Sequence, residues 1–219
     1  MATLITVKEQ AEHYEAPERA TVSLVIEGSG YDRHQVHQQV ANTLASVRTG
    51  IEQLRNDQQG PITWHSIANA DTWSWKLEDG GVHFHERVSV EAKFNDFTKL
   101  GEWLTDYLKI PGVRLNFIRW TLTEPHRAAL KTELRQRTVR LAREKAEEYA
   151  AAAGLRVSAV KTIADAGMLS RGHGYQASSD FGVSRGAKAN NAGSETGGYG
   201  FSPEDIRLTA AIEAEFWAE

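Results

Sequence analysis

The sequence predicts an α+β fold, a mainly antiparallel sheet backed by helices, with elements in the order β-α-β-β-α-β-α-β-β. Three observations carry it. Apolar and polar residues alternate along Val82 to Phe94 and again along Ile206 to Phe216, the period of a strand with one buried face. Val36, Val40, Leu44, Val47, Ile51 and Leu54 recur at steps of three or four, the stripe of an amphipathic helix. A long run rich in Ala, Glu, Arg and Leu, all strong helix formers, then extends from Pro125 to Ala153.

The first strand is Thr21 to Glu27, where Val22, Leu24 and Ile26 share a face and Gly28-Ser29-Gly30 closes the segment. Asp32 is placed to cap the helix that runs from Tyr31 to about Asn56. Residues 62 to 94 read as two antiparallel strands joined at Glu78-Asp79-Gly80-Gly81, since glycine tolerates positive φ in a tight turn. In the second of them Val82, Phe84, Val88, Val90, Ala92 and Phe94 form the core face, with Glu86 the one charged residue among them. His83, His85, Arg87, Ser89, Glu91 and Lys93 take the other face.

A helix from Asp96 to about Lys109 follows, stopped by Ile110-Pro111-Gly112. The strand from Val113 to Thr123 changes apolar parity between Phe117 and Ile118, which predicts a bulge or burial on both faces. Leu130, Leu134, Leu141 and Tyr149 mark the expected packing face of the third helix, and Gly154 ends it. Val157 to Asp165 and Asp205 to Trp217 supply the last two strands. The first six of these elements match a ferredoxin-like split unit, and the last three are expected to extend that core or return to its edge. Residues 1–19 read as an N-terminal extension and 20–219 as a single domain. Within it, residues 167–202 hold nine of the eighteen glycines, too little apolar area to offset the cost of ordering, so they read as a flexible insertion.

A chain of 219 residues with 41% hydrophobic and 25% charged residues is long and apolar enough to bury a core. Its net charge of -4 offers no basic footprint for a phosphate backbone, so nucleic acid is not an expected partner. No stretch approaches the roughly 20 apolar residues of a membrane-spanning helix, and the N-terminal residues lack the pattern of a secretory signal, so a cytoplasmic location is expected. The chain has no cysteine, which removes disulfides, thiolate metal sites and cysteine nucleophiles.

Several local signatures carry a family resemblance when taken in order. They are Val25-Ile26-Glu27-Gly28-Ser29-Gly30 followed by Tyr31-Asp32 and a helix, the charged helix Arg140 to Ala150, Ala153-Gly154-Leu155, and the closing strand Ile206 to Phe216. From about residue 20 to 217 the chain resembles the SIMPL-domain family, a family of unknown function that includes bacterial periplasmic immunogenic and oxidative-stress-defence proteins. The resemblance implies an α+β fold and a tendency toward homo-oligomers, with no agreed activity or catalytic residues. The absence of an export signal departs from the family pattern, so an envelope role is not carried over.

His83 and His85 share a strand face, and His65 on the neighbouring strand would complete a three-imidazole set suited to zinc if the hairpin brought it near. The plainer reading makes them polar residues on the wet side of a sheet. Gly28-Ser29-Gly30-Tyr31-Asp32-Arg33 occupies the place of a dinucleotide loop but lacks the third glycine and a parallel βαβ setting, and reads as a turn. Trp73 and Trp75 lie two apart on one strand, as amphipathic rings do at interfaces, although core packing is the commoner fate of tryptophan. Glu133, Glu147 and Glu148 sit on an Arg-rich helix and read as a solvated face. No nucleophile elbow, zincin helix or phosphate loop is present. The expected function is non-enzymatic assembly of a homo-oligomer without a cofactor; the alternative is small-molecule or metal binding on the His-bearing face.

Overall fold

A computed structural model describes residues 2–55, 60–169 and 203–219. Eleven elements follow one another: β1 (Thr3–Glu15), β2 (Arg19–Gly30), α1 (Arg33–Leu54), β3 (Ile62–Ile67), β4 (Asp71–Lys76), β5 (Val82–Phe94), α2 (Phe97–Tyr107), β6 (Val113–Thr121), α3 (Glu124–Ala152), β7 (Val157–Asp165) and β8 (Ile206–Ala218). Contacts divide them into two compact units, one holding β1, α3, β7 and β8 and the other holding β2 through β6 with α1 and α2. All but the first three residues of the glycine-rich segment 167–202 lie outside the described residues.

The larger unit is a sheet in the order β3-β5-β2-β6, antiparallel throughout, with β4 pairing further along β5. This is the ferredoxin-like arrangement expected for the first six elements. Residues 62–76 are two short strands, β3 and β4, rather than one, and both use β5 as partner. Val22, Leu24 and Ile26 of β2 form one core with Val40, Val47 and Ile51 of α1 and Leu100, Trp103 and Leu104 of α2. Burying each of these aliphatic side chains contributes about 1.5–3 kcal/mol. Both helices start as their sequences suggest: the Asp32 carboxylate accepts from the His34 and Gln35 N–H groups, and Asp96 accepts from Lys99 N–H. The bulge expected in β6 falls at Asn116, which is skipped between Leu115↔Leu24 and Phe117↔Ser23.

Gly28 and Gly30 lie inside β2, opposite Glu86 and Phe84, instead of ending the strand. A Cβ on Gly28 would stand 2.8 Å from Val40 Cγ2, so the bare backbone there lets α1 lie against the sheet. The dinucleotide reading finds no parallel crossover in this antiparallel setting.

In the smaller unit the order is β1-β8-β7, with β1 and β8 paired from Thr3↔Ala218 to Glu15↔Ile206. Residues 3–15, read from sequence as part of an extension, are therefore a full strand, and the last two strands join it instead of extending the first core. Its buried cluster joins Val7, Ile212, Ala214 and Phe216 to Ala142 and Ala146 of α3. The helix buries Leu134, Thr138, Ala142, Ala146 and Ala150, whereas Tyr149, expected on the packing face, is 52% exposed. Steps of four place Leu134, Thr138 and the alanines on one ridge, and small side chains let that ridge sit close on the sheet. Thr138 is satisfied in this buried position by donating its hydroxyl to Leu134 O at 2.8 Å.

Candidate functional site

The β4–β5 hairpin builds the site. Its turn is closed by Leu77 N donating to Gly81 O and Gly80 N to Leu77 O, with Gly80 at φ +85°. The resulting register sets Trp73 opposite His85 and Trp75 opposite His83, all on the face turned away from the helical core. Trp73 stacks on His85 with ring centroids 4.1 Å apart, Trp75 lies over His83 at 4.8 Å, and Tyr31 meets His83 edge-on at 5.1 Å. The two indoles remain 44% and 43% exposed, so each imidazole is covered by a ring whose outer surface is open. Trp64 on β3 adds a third exposed indole on this face, with the Lys93 ammonium 5.6 Å from its ring.

Nδ1 of both His83 and His85 is buried beneath these rings and has no hydrogen-bond partner among the described residues. His85 Nε2 points to Glu27 Oε2 at 3.7 Å, and Glu27 is gripped on its other oxygen by Arg114. Burial, followed by the like charges of His83 and Arg87, holds the His85 imidazole below its ordinary pKa, so the neutral form dominates under the tryptophan.

His65 does not join these imidazoles. A bulge at Thr63 shifts β3 by one residue, so Trp64 pairs with Lys93 and His65 with Ala92 on the helix-covered face. A slip of one residue reverses every side chain beyond it. His65 instead meets Arg55, its Nδ1 3.5 Å from Nη1. Ala92 is also seven residues along β5 from His85, about 23 Å at the rise of an extended strand. The three-imidazole set is therefore not assembled, and among the described residues no group of three His, Asp or Glu could hold a metal ion.

Sequence reasoning missed what lies on the opposite side of the same hairpin. Glu86, the charged residue among the core positions of β5, is only 6% exposed, and both of its oxygens lie 3.1 Å from His37 Nδ1 on α1. The break in apolar alternation at Glu86 was the available signal; its partner 49 residues earlier carries none. A small cleft opens here, lined by Arg33 and Val36 of α1, Thr72 to Ser74 of β4, and Phe84 to Glu86 of β5.

The family model for SIMPL, described as a protein of unknown function (DUF541), matches residues 5–216. The chain belongs to the SIMPL family. That span takes in both units and runs from β1 to β8. No curated protein matches the chain.

Proposed function

We propose that this SIMPL-family chain acts without catalysis, as a self-assembling protein whose copies meet through β4. The observation that carries the reading is an edge strand bearing two open indoles. Among the described residues β4 pairs only with β5, so its other edge presents backbone donors and acceptors that no described strand takes up, beside Trp73 and Trp75. The segment Asp71-Thr72-Trp73-Ser74-Trp75-Lys76 also complements itself. An antiparallel two-fold pairing centred on Ser74 keeps the same sheet face outward in both copies and sets Trp73 against Trp75 of the partner subunit, twice. Large amphipathic rings dominate the energetics of such interfaces.

Sedimentation or light scattering from low to high micromolar concentration tests the proposal. The expected result is a dimer or larger assembly that the double substitution Trp73→Ser, Trp75→Ser returns to monomer, with the far-ultraviolet spectrum unchanged. A strictly monomeric mass for the parent chain at high micromolar concentration refutes it.

A further inference from the structure

Glu86 occupies a position where the fold calls for an apolar residue. Its neighbours on the same face of β5, Val88 and Val90, are buried aliphatics in the core. A carboxylate taken out of water is costly unless paired, and its partner here, His37, is itself a largely exposed side chain. Gly28 and Gly30, opposite Glu86 and Phe84 on β2, carry no side chains, and Val36 and Val40 of α1 pack closely over them. Beside Glu86, between the start of α1 and β4, lies a cleft of about 160 Å³, comparable with cavities that accept a ring of six carbon atoms.

The groups around this cleft differ in charge. Glu86 supplies the buried anion, with lone pairs left over from the His37 contact. Arg33, the first residue of α1, stands at the exposed rim and has no ionic or hydrogen-bonding partner among the described residues. Thr72 and Ser74 bring hydroxyls from β4, while Val36 and Phe84 provide apolar wall. An ammonium matches Glu86, a carboxylate matches the fork of a guanidinium, and a short apolar substituent matches Val36 and Phe84. We propose that this cleft binds a small zwitterion of the free α-amino acid type, ammonium inward on Glu86 and carboxylate outward on Arg33. Thr72, Trp73 and Ser74 of β4 line the cleft as well as the proposed interface, whereas Glu86 and Arg33, which carry this site, are not on β4.

Calorimetric titration of the full chain with L-alanine, L-serine and L-leucine tests the site, with ethylamine and acetate as the single-charge controls. The expected result is saturable binding of at least one amino acid and at least about tenfold weaker binding of both controls, the loss of one charge-assisted contact. Glu86→Gln keeps the shape of the side chain, and Arg33→Met changes only an exposed position. Each is expected to weaken the amino acid by about tenfold or more while the thermal midpoint of the Arg33→Met protein stays that of the parent. Absence of saturable binding by all three amino acids up to about 10 mM, well beyond the millimolar range of weak recognition, overturns the proposal. So does binding of ethylamine or acetate as tight as that of the amino acids, or full binding retained by both variants.

Discussion

Gly112 lies in the turn between α2 and β6, and its replacement by alanine is expected to damage the larger unit more than an equivalent change at Gly80. Both glycines have φ +85°, where a side chain costs about 1–2 kcal/mol. Alanine recovers about 0.4–1 kcal/mol of that through the lower entropy of its unfolded chain. At Gly80 nothing lies within 4 Å of the added Cβ, so the net loss is about 1 kcal/mol or less. At Gly112 the Cβ would stand 2.3 Å from the backbone oxygen of Glu27, which is flanked by β-sheet bonding and has no rotamer to escape into. Relief requires the turn to lift from β2, and that breaks the hydrogen bond from Glu27 N to Gly112 O at 2.8 Å. Together the strain and the lost bond give about 3 kcal/mol. Urea unfolding followed by tryptophan fluorescence reads mainly this unit, because five of the six tryptophans, Trp64, Trp73, Trp75, Trp103 and Trp120, belong to it. With a slope of about 1–3 kcal/mol per molar urea, the Gly112→Ala midpoint should fall by about 1–3 M and the Gly80→Ala midpoint by about a third of that or less. Equal midpoints for the two variants would refute the close contact with Glu27.

Two further outcomes are expected. Ala146→Leu places a large side chain where α3 meets Val7 and Ala214, and overpacking should cost about 1–3 kcal/mol, measured by circular dichroism at the helix band; a loss below about 0.5 kcal/mol would show that α3 does not sit tightly on this sheet. His85 has a folded pKa below its unfolded value of about 6.5, so the unfolded chain takes up its proton first as pH falls. Its contribution to stability is thus complete above that value and lost as pH drops through the unfolded and then the folded pKa. His85→Phe should flatten the dependence of the urea midpoint on pH just below about 6.5, and an unchanged slope, or a nuclear magnetic resonance titration of His85 with a raised midpoint, would contradict the burial argument.

The elements that could be read from sequence are those whose signal is local. The stripe of Val36, Val40, Val47 and Ile51 and the alternation in β5 and β8 repeat within a few residues, and the caps at Asp32 and Asp96 depend on neighbours two or three positions away. In β1 the inward face reads Ile5, Val7, Glu9, Ala11 and His13, a pattern interrupted by polar residues, so nothing local distinguished a strand from an extension. Its stability comes from β8, about 200 residues later, and a pairing of that separation leaves no mark on either segment alone.

The candidate sites divide the same way. Trp73 and Trp75, and His83 and His85, each share a face because strand side chains alternate, and sequence alone determined that much. The side on which His65 emerges was decided by a one-residue bulge at Thr63, and the burial of Glu86 beside His37 by the docking of α1 over two glycines. Alternation and capping are properties of consecutive residues, whereas register and helix docking are settled by which packed arrangement buries the most apolar surface with its polar groups satisfied. Only the folded chain makes that choice.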